Sequence, residues 1–119
     1  MKHIYIIIGI ALLLFASCGR QQTAKSIVKD FMEANIEDYS KVSFLDFYDI
    51  DSTRLISDSL IQVLHGRIPA HFSRNISYQE RGEKTLWHIR TRYLMDKDTC
   101  SATFYIDKEL NGVVAFKEN

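Results

Sequence analysis

The sequence predicts an α+β fold: two helices packed on a curved antiparallel sheet of four to five strands. Three observations carry this. Apolar residues recur at helical spacing from Ala24 to Ala34 and again from Leu60 to Leu64. From Ile76 onward, runs rich in β-branched and aromatic residues alternate with turn-forming clusters. Only one choice of facing keeps charge off an otherwise apolar sheet surface.

The chain begins with a charged start, Lys2 with His3, and an apolar run from Ile4 to Phe15. At about 12 residues this run is too short to cross a hydrocarbon layer of about 30 Å as a helix. The residues that end it, Phe15-Ala16-Ser17-Cys18, resemble the lipobox of bacterial lipoproteins. Small Ala16 and Ser17 suit the approach of a peptidase, and Cys18 supplies a thiol for a diacylglyceryl group. Phe15 departs from the leucine that family prefers, with Leu14 one place early. The alternatives are an ordinary transmembrane anchor or a plain secretory signal. The resemblance implies a signal peptide at residues 1–17, a lipidated tether at 18–22 and a single α+β domain at 23–119. It implies a membrane partner held through the lipid on Cys18, in the cell envelope. Gly19 follows the cysteine, with no match to the aspartate that retains some lipoproteins at the inner membrane, so the outer membrane is expected.

Cleavage before Cys18 leaves 102 residues, enough for one domain with a single core. Their 14 lysines and arginines face 15 aspartates and glutamates. That balance excludes the strongly basic character of a nucleic-acid partner. With Cys18 taken by lipid, Cys100 is left alone and no disulfide framework exists. It lies in the strand-like run TCSATFYI and reads as a buried, inert thiol.

Thr23 is the expected N-cap of the first helix, which runs to about Ile36 with Ala24, Ile27, Val28, Phe31 and Ala34 on its apolar side. Residues 42–50 (VSFLDFYDI) read as a strand, broken by Asp51-Ser52-Thr53. A second helix starts near Ser57 or Asp58, with Ser59 and Gln62 at capping-box spacing. Leu60, Ile61 and Leu64 form its apolar stripe, and Gly66 and Pro69 stop it.

Four strands are expected after that: residues 76–80, 85–95, 99–106 and 113–117, with turns at 81–84 and at Lys97-Asp98 and a loop around Asn111-Gly112. Opposing Met95 to Cys100 also opposes Tyr93 to Ala102, Thr91 to Phe104 and Ile89 to Ile106, and that face is nearly all apolar. A one-residue slip would bury Arg90 and Arg92 instead. By the same test Ile106 faces Val114 and Phe104 faces Phe116, so the last loop exceeds a two-residue turn. Trp87, Phe104 and Phe116 are the expected hub of the core, with Phe31 and Leu60 as their helical partners.

The layout, carried by IVKDFMEAN, DSTRLISDSLI and the ending TFYIDKELNGVVAFK, resembles small lipoproteins of uncharacterised families in gut-type bacteria. It is similar to the cystatin-like and NTF2-like α+β folds. Enzymes on NTF2-like folds place Asp, His or Tyr in the cone between helix and sheet. Here the inward face reads Trp87, Ile89, Thr91, Tyr93, Cys100, Ala102, Phe104, Ile106, Val114 and Phe116. It holds no histidine and no carboxylate, so general acid–base catalysis has no agent there. Tyr93 alone could donate a proton, but a core tyrosine bonded to one partner is the commoner case. The glycine start and QxVxG-type loop of cystatin-like protease inhibitors are not visible. Asp46, Asp49 and Asp51 lack the spacing of a cation loop. His65, His71 and His88 are too irregularly spaced for a helical metal pair, and His65 suits a helix C-terminus. No metal and no cofactor is therefore expected.

Charge is uneven along the chain. Residues 18–64 hold five bases and eight acids, residues 65–95 six and two, and residues 96–119 three and five. His88, Arg90 and Arg92 alternate on the outward face of one strand, beside Ser101, Thr103 and Tyr105. Guanidinium groups beside hydroxyls and an aromatic ring suit sugar acids, phosphates or a partner's carboxylates. Cross-strand pairing on a solvated face, such as His88 opposite Asp107, is the plainer account. The candidate binding residues are therefore His88, Arg90, Arg92 and Tyr105, with Cys18 for lipidation. The expected protein is a lipid-anchored envelope binding module for an anionic ligand, glycan or envelope protein. The alternative is an NTF2-like enzyme acting on a small molecule in a pocket between helix and sheet.

Overall fold

Helix α1 spans Lys2–Asn35. The computed structural model describes residues 19–119 in full and only the backbone of residues 2–18. The expected signal peptide and the lipidation of Cys18 lie outside the described residues. Among those residues, no helix is long and apolar enough to cross a membrane. Thr23 lies inside α1 and does not cap it: its hydroxyl donates to the Gly19 carbonyl one turn earlier, at 2.8 Å. Residues 19–22, expected as a tether, are helical and docked. The Gln21 side chain donates to the Tyr48 carbonyl at 3.0 Å and accepts from the Ile50 N–H at 2.7 Å. The Arg20 guanidinium lies 4.5 Å from the centre of the Trp87 ring.

A 3-10 turn at Tyr39–Lys41 leads into strand β1 (Val42–Phe47) and the short strand β2 (Asp51–Thr53). Helix α2 (Asp58–Gly66) and strands β3 (Leu86–Met95), β4 (Asp98–Asp107) and β5 (Val113–Glu118) complete the chain. The result is an α+β fold, two helices on an open antiparallel sheet of five strands in the order β1-β3-β4-β5, with β2 also on β3. Asp51-Ser52-Thr53 is thus a strand paired with Leu86–His88, where the sequence suggested a break. Residues 76–80 are not a sheet strand. The two edges of β3 are already taken by β1 with β2 and by β4, so this segment runs outside β5, joined through the Gln79 N–H to the Val113 carbonyl at 2.8 Å.

The β3–β4 hairpin differs from the expected register by two residues. Tyr93 opposes Cys100, Thr91 opposes Ala102, Ile89 opposes Phe104 and Trp87 opposes Ile106. The turn is Asp96-Lys97, with Asp96 at φ 61°, a conformation short polar residues tolerate. A two-residue slip preserves which face each side chain takes, because side chains alternate with period two. The expected His88–Asp107 pair is replaced by His88 opposite Tyr105. Phe104 does oppose Phe116, but a bulge after Tyr105 sets Ile106 opposite Val113. Val114 is the extra residue and turns to the other face.

The two helices cover opposite faces of the sheet. On one face, Ala24, Val28, Phe31 and Met32 of α1 meet Ile89, Tyr93, Ala102, Phe104, Ile106, Val113 and Phe116. Phe104 and Phe116 stack with centroids 5.4 Å apart, and Phe31 stands edge-on to both. Trp87 is only half-buried at the margin, donating through Nε1 to the Lys108 carbonyl at 3.0 Å, so Phe72 takes the place expected for it in the hub. On the other face, Ile61 and Leu64 of α2 meet Ile56, Leu86, Tyr105, Val114 and Ala115. Ser57 caps α2 by accepting the Leu60 N–H at 3.1 Å, in place of the Ser59–Gln62 box. Leu60 faces solvent instead of the core. Asp107 organises the loop to β5: its carboxylate is buried and accepts from the Asn111 and Gly112 N–H groups and from the Asn111 side chain.

Candidate functional site

The outward face of the sheet, at the border of the area covered by α2, carries two rungs of side chains across three strands. One rung is His88–Tyr105–Ala115 and the next is Arg90–Thr103–Lys117. Small Thr103 leaves the centre low, while Tyr48 and Asp49, between β1 and β2, form a wall. Together Tyr48, Asp49, His88, Arg90, Thr103, Tyr105 and Lys117 line an open groove of about 400 Å³. The Arg90 guanidinium lies 5.3 Å from the centre of the Tyr48 ring and donates through Nε to the Ser101 hydroxyl at 3.0 Å. Neither Arg90 nor Lys117 forms an ion pair among the described residues. Asp49 is the acidic group on the groove's wall.

Of the four residues expected to share this face, three meet in the groove and one leaves it. Arg92 is engaged by Asp46, whose hydrogen bond and charge hold its guanidinium above the ordinary value. A β-bulge at Leu45 places Asp46 opposite Arg92, and Thr91 secures the bulge by donating to the Asp46 carbonyl at 2.7 Å. Tyr105 is 6 % exposed, so it floors the groove and cannot serve as a free stacking platform. The exposed ring is Tyr48, which carries the guanidinium instead. Lys117 was not among the residues expected here; as the neighbour of inward-facing Phe116 it takes the outward face with Ala115, and that alternation was the available signal.

The inward face acquires a histidine that strand alternation does not reveal. His71 lies in the loop after α2, and its Nε2 is 2.8 Å from the buried Tyr93 hydroxyl. The loop is held by a bridge between Ile36 and Phe72, by the Glu37 N–H on the His71 carbonyl and by the Ser73 N–H on the Asn35 carbonyl. Cys100 is half-buried beside Tyr93 and is not a sealed core thiol. Among the described residues, one group of three metal-ligating side chains converges. The ligand atoms of His71, Cys100 and Glu118 all lie within 4.8 Å of one another. Burial pushes the Cys100 thiol up, with the Glu118 and Asp98 charges adding to it. Burial likewise drives Tyr93 well above the ordinary tyrosine range, so it stays protonated. Asp46, Asp49 and Asp51 do not converge in this way among the described residues.

His65 does not cap its helix. Its Nε2 is 2.7 Å from the Val114 carbonyl, and its ring stacks on Tyr78 at 3.9 Å.

No family model matches the chain, and no curated protein or solved structure matches it.

Proposed function

We propose that this protein is a lipid-anchored binding module of the cell envelope, whose outward sheet face takes a ligand bearing a carboxylate, sulfate or phosphate group. The observation that carries the reading is the Arg90–Thr103–Lys117 rung: two cations, without ion-pair partners among the described residues, flank a hydroxyl at the bottom of an open groove. The Tyr48 ring under the guanidinium and its Nε–H bond to Ser101 pre-position the terminal N–H groups for a bidentate anion. Pre-positioning reduces the ordering cost of binding. A groove this open suits a sugar acid or a protruding acidic group better than an enclosed small molecule. Anchoring through Cys18 is part of the same reading and rests on the lipobox-like residues Phe15 to Cys18.

The test is a glycan array carrying uronate, sulfated and phosphorylated sugars, with a pull-down from envelope extract, using the full chain. The Arg90→Gln/Lys117→Gln variant should lose binding, and Arg92→Gln, whose charge Asp46 already engages, should keep it. Wild-type binding should weaken with salt, since exposed charges are screened. Unchanged binding by a folded Arg90→Gln/Lys117→Gln variant would refute the groove and favour an enzyme acting at the inward face.

A further inference from the structure

We infer that His71, Cys100 and Glu118 form a binding site for a transition-metal dication of the zinc type, on the sheet face opposite the anion groove. Three separate elements bring these ligands together: the loop after α2, strand β4 and strand β5. Their ligand atoms lie within 4.8 Å of one another. Around a tetrahedral zinc with bonds of about 2.0–2.3 Å, ligand atoms sit roughly 3.3–3.8 Å apart. Closing the triad therefore needs movement of at most about 1.5 Å. The exposed Glu118 side chain can supply much of it.

The donor chemistry is selective. An imidazole, a thiolate and one carboxylate suit zinc and its neighbours and are poor for magnesium or calcium, which take oxygen ligands. Coordination replaces the S–H bond of Cys100 by a sulfur–metal bond, and the thiol proton passes to solvent. The support behind the ligands is in place. The bridge between Ile36 and Phe72 and the backbone bonds of residues 37 and 73 fix the loop that carries His71. Glu118 is held near by its neighbour Asn119, whose N–H donates to the Ser101 carbonyl at 2.8 Å. Three protein ligands leave a fourth position for water or an incoming ligand, the arrangement of an open zinc site.

The sequence holds two cysteines, so Cys18→Ser makes Cys100 the single thiol. The experiment titrates this full-length protein with Co²⁺ alone, following the near-ultraviolet thiolate-to-cobalt absorption, and then displaces Co²⁺ with Zn²⁺. A band saturating at one equivalent is expected. It should vanish with Cys100→Ser, and Glu118→Gln and His71→Gln should each weaken binding tenfold or more. Circular dichroism checks that each variant is folded, and Glu118→Gln, being at an exposed residue, tests the site without disturbing the core. Absence of the band, or unchanged affinity in both Glu118→Gln and His71→Gln, overturns the inference. Since Arg90 and Lys117 lie on the other face, their substitution should leave the cobalt titration unchanged.

Discussion

Replacing Phe116 by alanine should cost about 3–5 kcal/mol, the range for truncating a fully buried phenylalanine. Phe116 is 1 % exposed and touches three other rings, with centroids 5.4 Å from Phe31, 4.6 Å from Phe72 and 5.4 Å from Phe104. A buried aromatic ring removes at least about 150 Å² from water, and at about 25 cal/mol per Å² this approaches 4 kcal/mol. Lost ring–ring contacts push the cost upward, and partial collapse of the cavity pulls it down. The affected elements are unusually many, because Phe31 belongs to α1, Phe72 to the His71 loop and Phe104 to β4. For a domain of about 100 residues each kcal/mol lowers the midpoint by about 4–8 °C, so a fall of at least about 12 °C is expected. Thermal unfolding followed by far-ultraviolet circular dichroism measures it. Leu60→Ala is the control, since Leu60 is 36 % exposed and its loss should change stability by less than about 0.5 kcal/mol. A midpoint unchanged by Phe116→Ala, or lowered as much by Leu60→Ala, would refute the assignment of faces.

Asp107→Ala removes three hydrogen bonds that the buried carboxylate accepts from Asn111 and Gly112, and should cost about 1–3 kcal/mol in denaturant unfolding, with hydrogen exchange rising first in residues 108–112. The Tyr78 hydroxyl is buried without a hydrogen-bond partner among the described residues, so Tyr78→Phe should leave stability unchanged or raise it. Burial also holds Tyr78 above its ordinary value of 10.0, so the native state favours the protonated ring. Its contribution is complete below pH about 10 and is lost as the pH rises toward the higher native value, so wild type should lose stability above pH about 10 more steeply than Tyr78→Phe. Cys18→Ala should abolish incorporation of labelled lipid and block processing, whereas a cleaved wild type with an unmodified Cys18 in its mass spectrum would defeat the anchoring proposal. A second acyl chain makes such anchoring firm where one is marginal.

Period-two alternation was legible from residues 87–116 alone, and it assigned nearly every strand side chain to its proper face. It could do so despite a two-residue error in register, because such a slip moves partners along the strand without turning them over. The β3–β4 pairing itself was decided by the Asp96-Lys97 turn, whose positive φ at Asp96 is a property of the closed hairpin. Val114 escaped alternation through a bulge, where one extra residue reverses the parity of its neighbours along the strand. The amphipathic stripe of α2 announced that Ile61 and Leu64 would be buried. It carried nothing about which face of the sheet would receive them, because both faces offer apolar residues. That choice, made only in three dimensions, covered Tyr105 and confined the basic groove to the rungs of His88 and Arg90. Likewise His71 stands 22 residues before Tyr93 in a segment without periodicity, and its contact depends on Phe72 anchoring the loop to the end of α1. Local pattern determines which side chains share an element's face; convergence of residues from separate elements depends on how those elements pack, and no spacing along the chain encodes it.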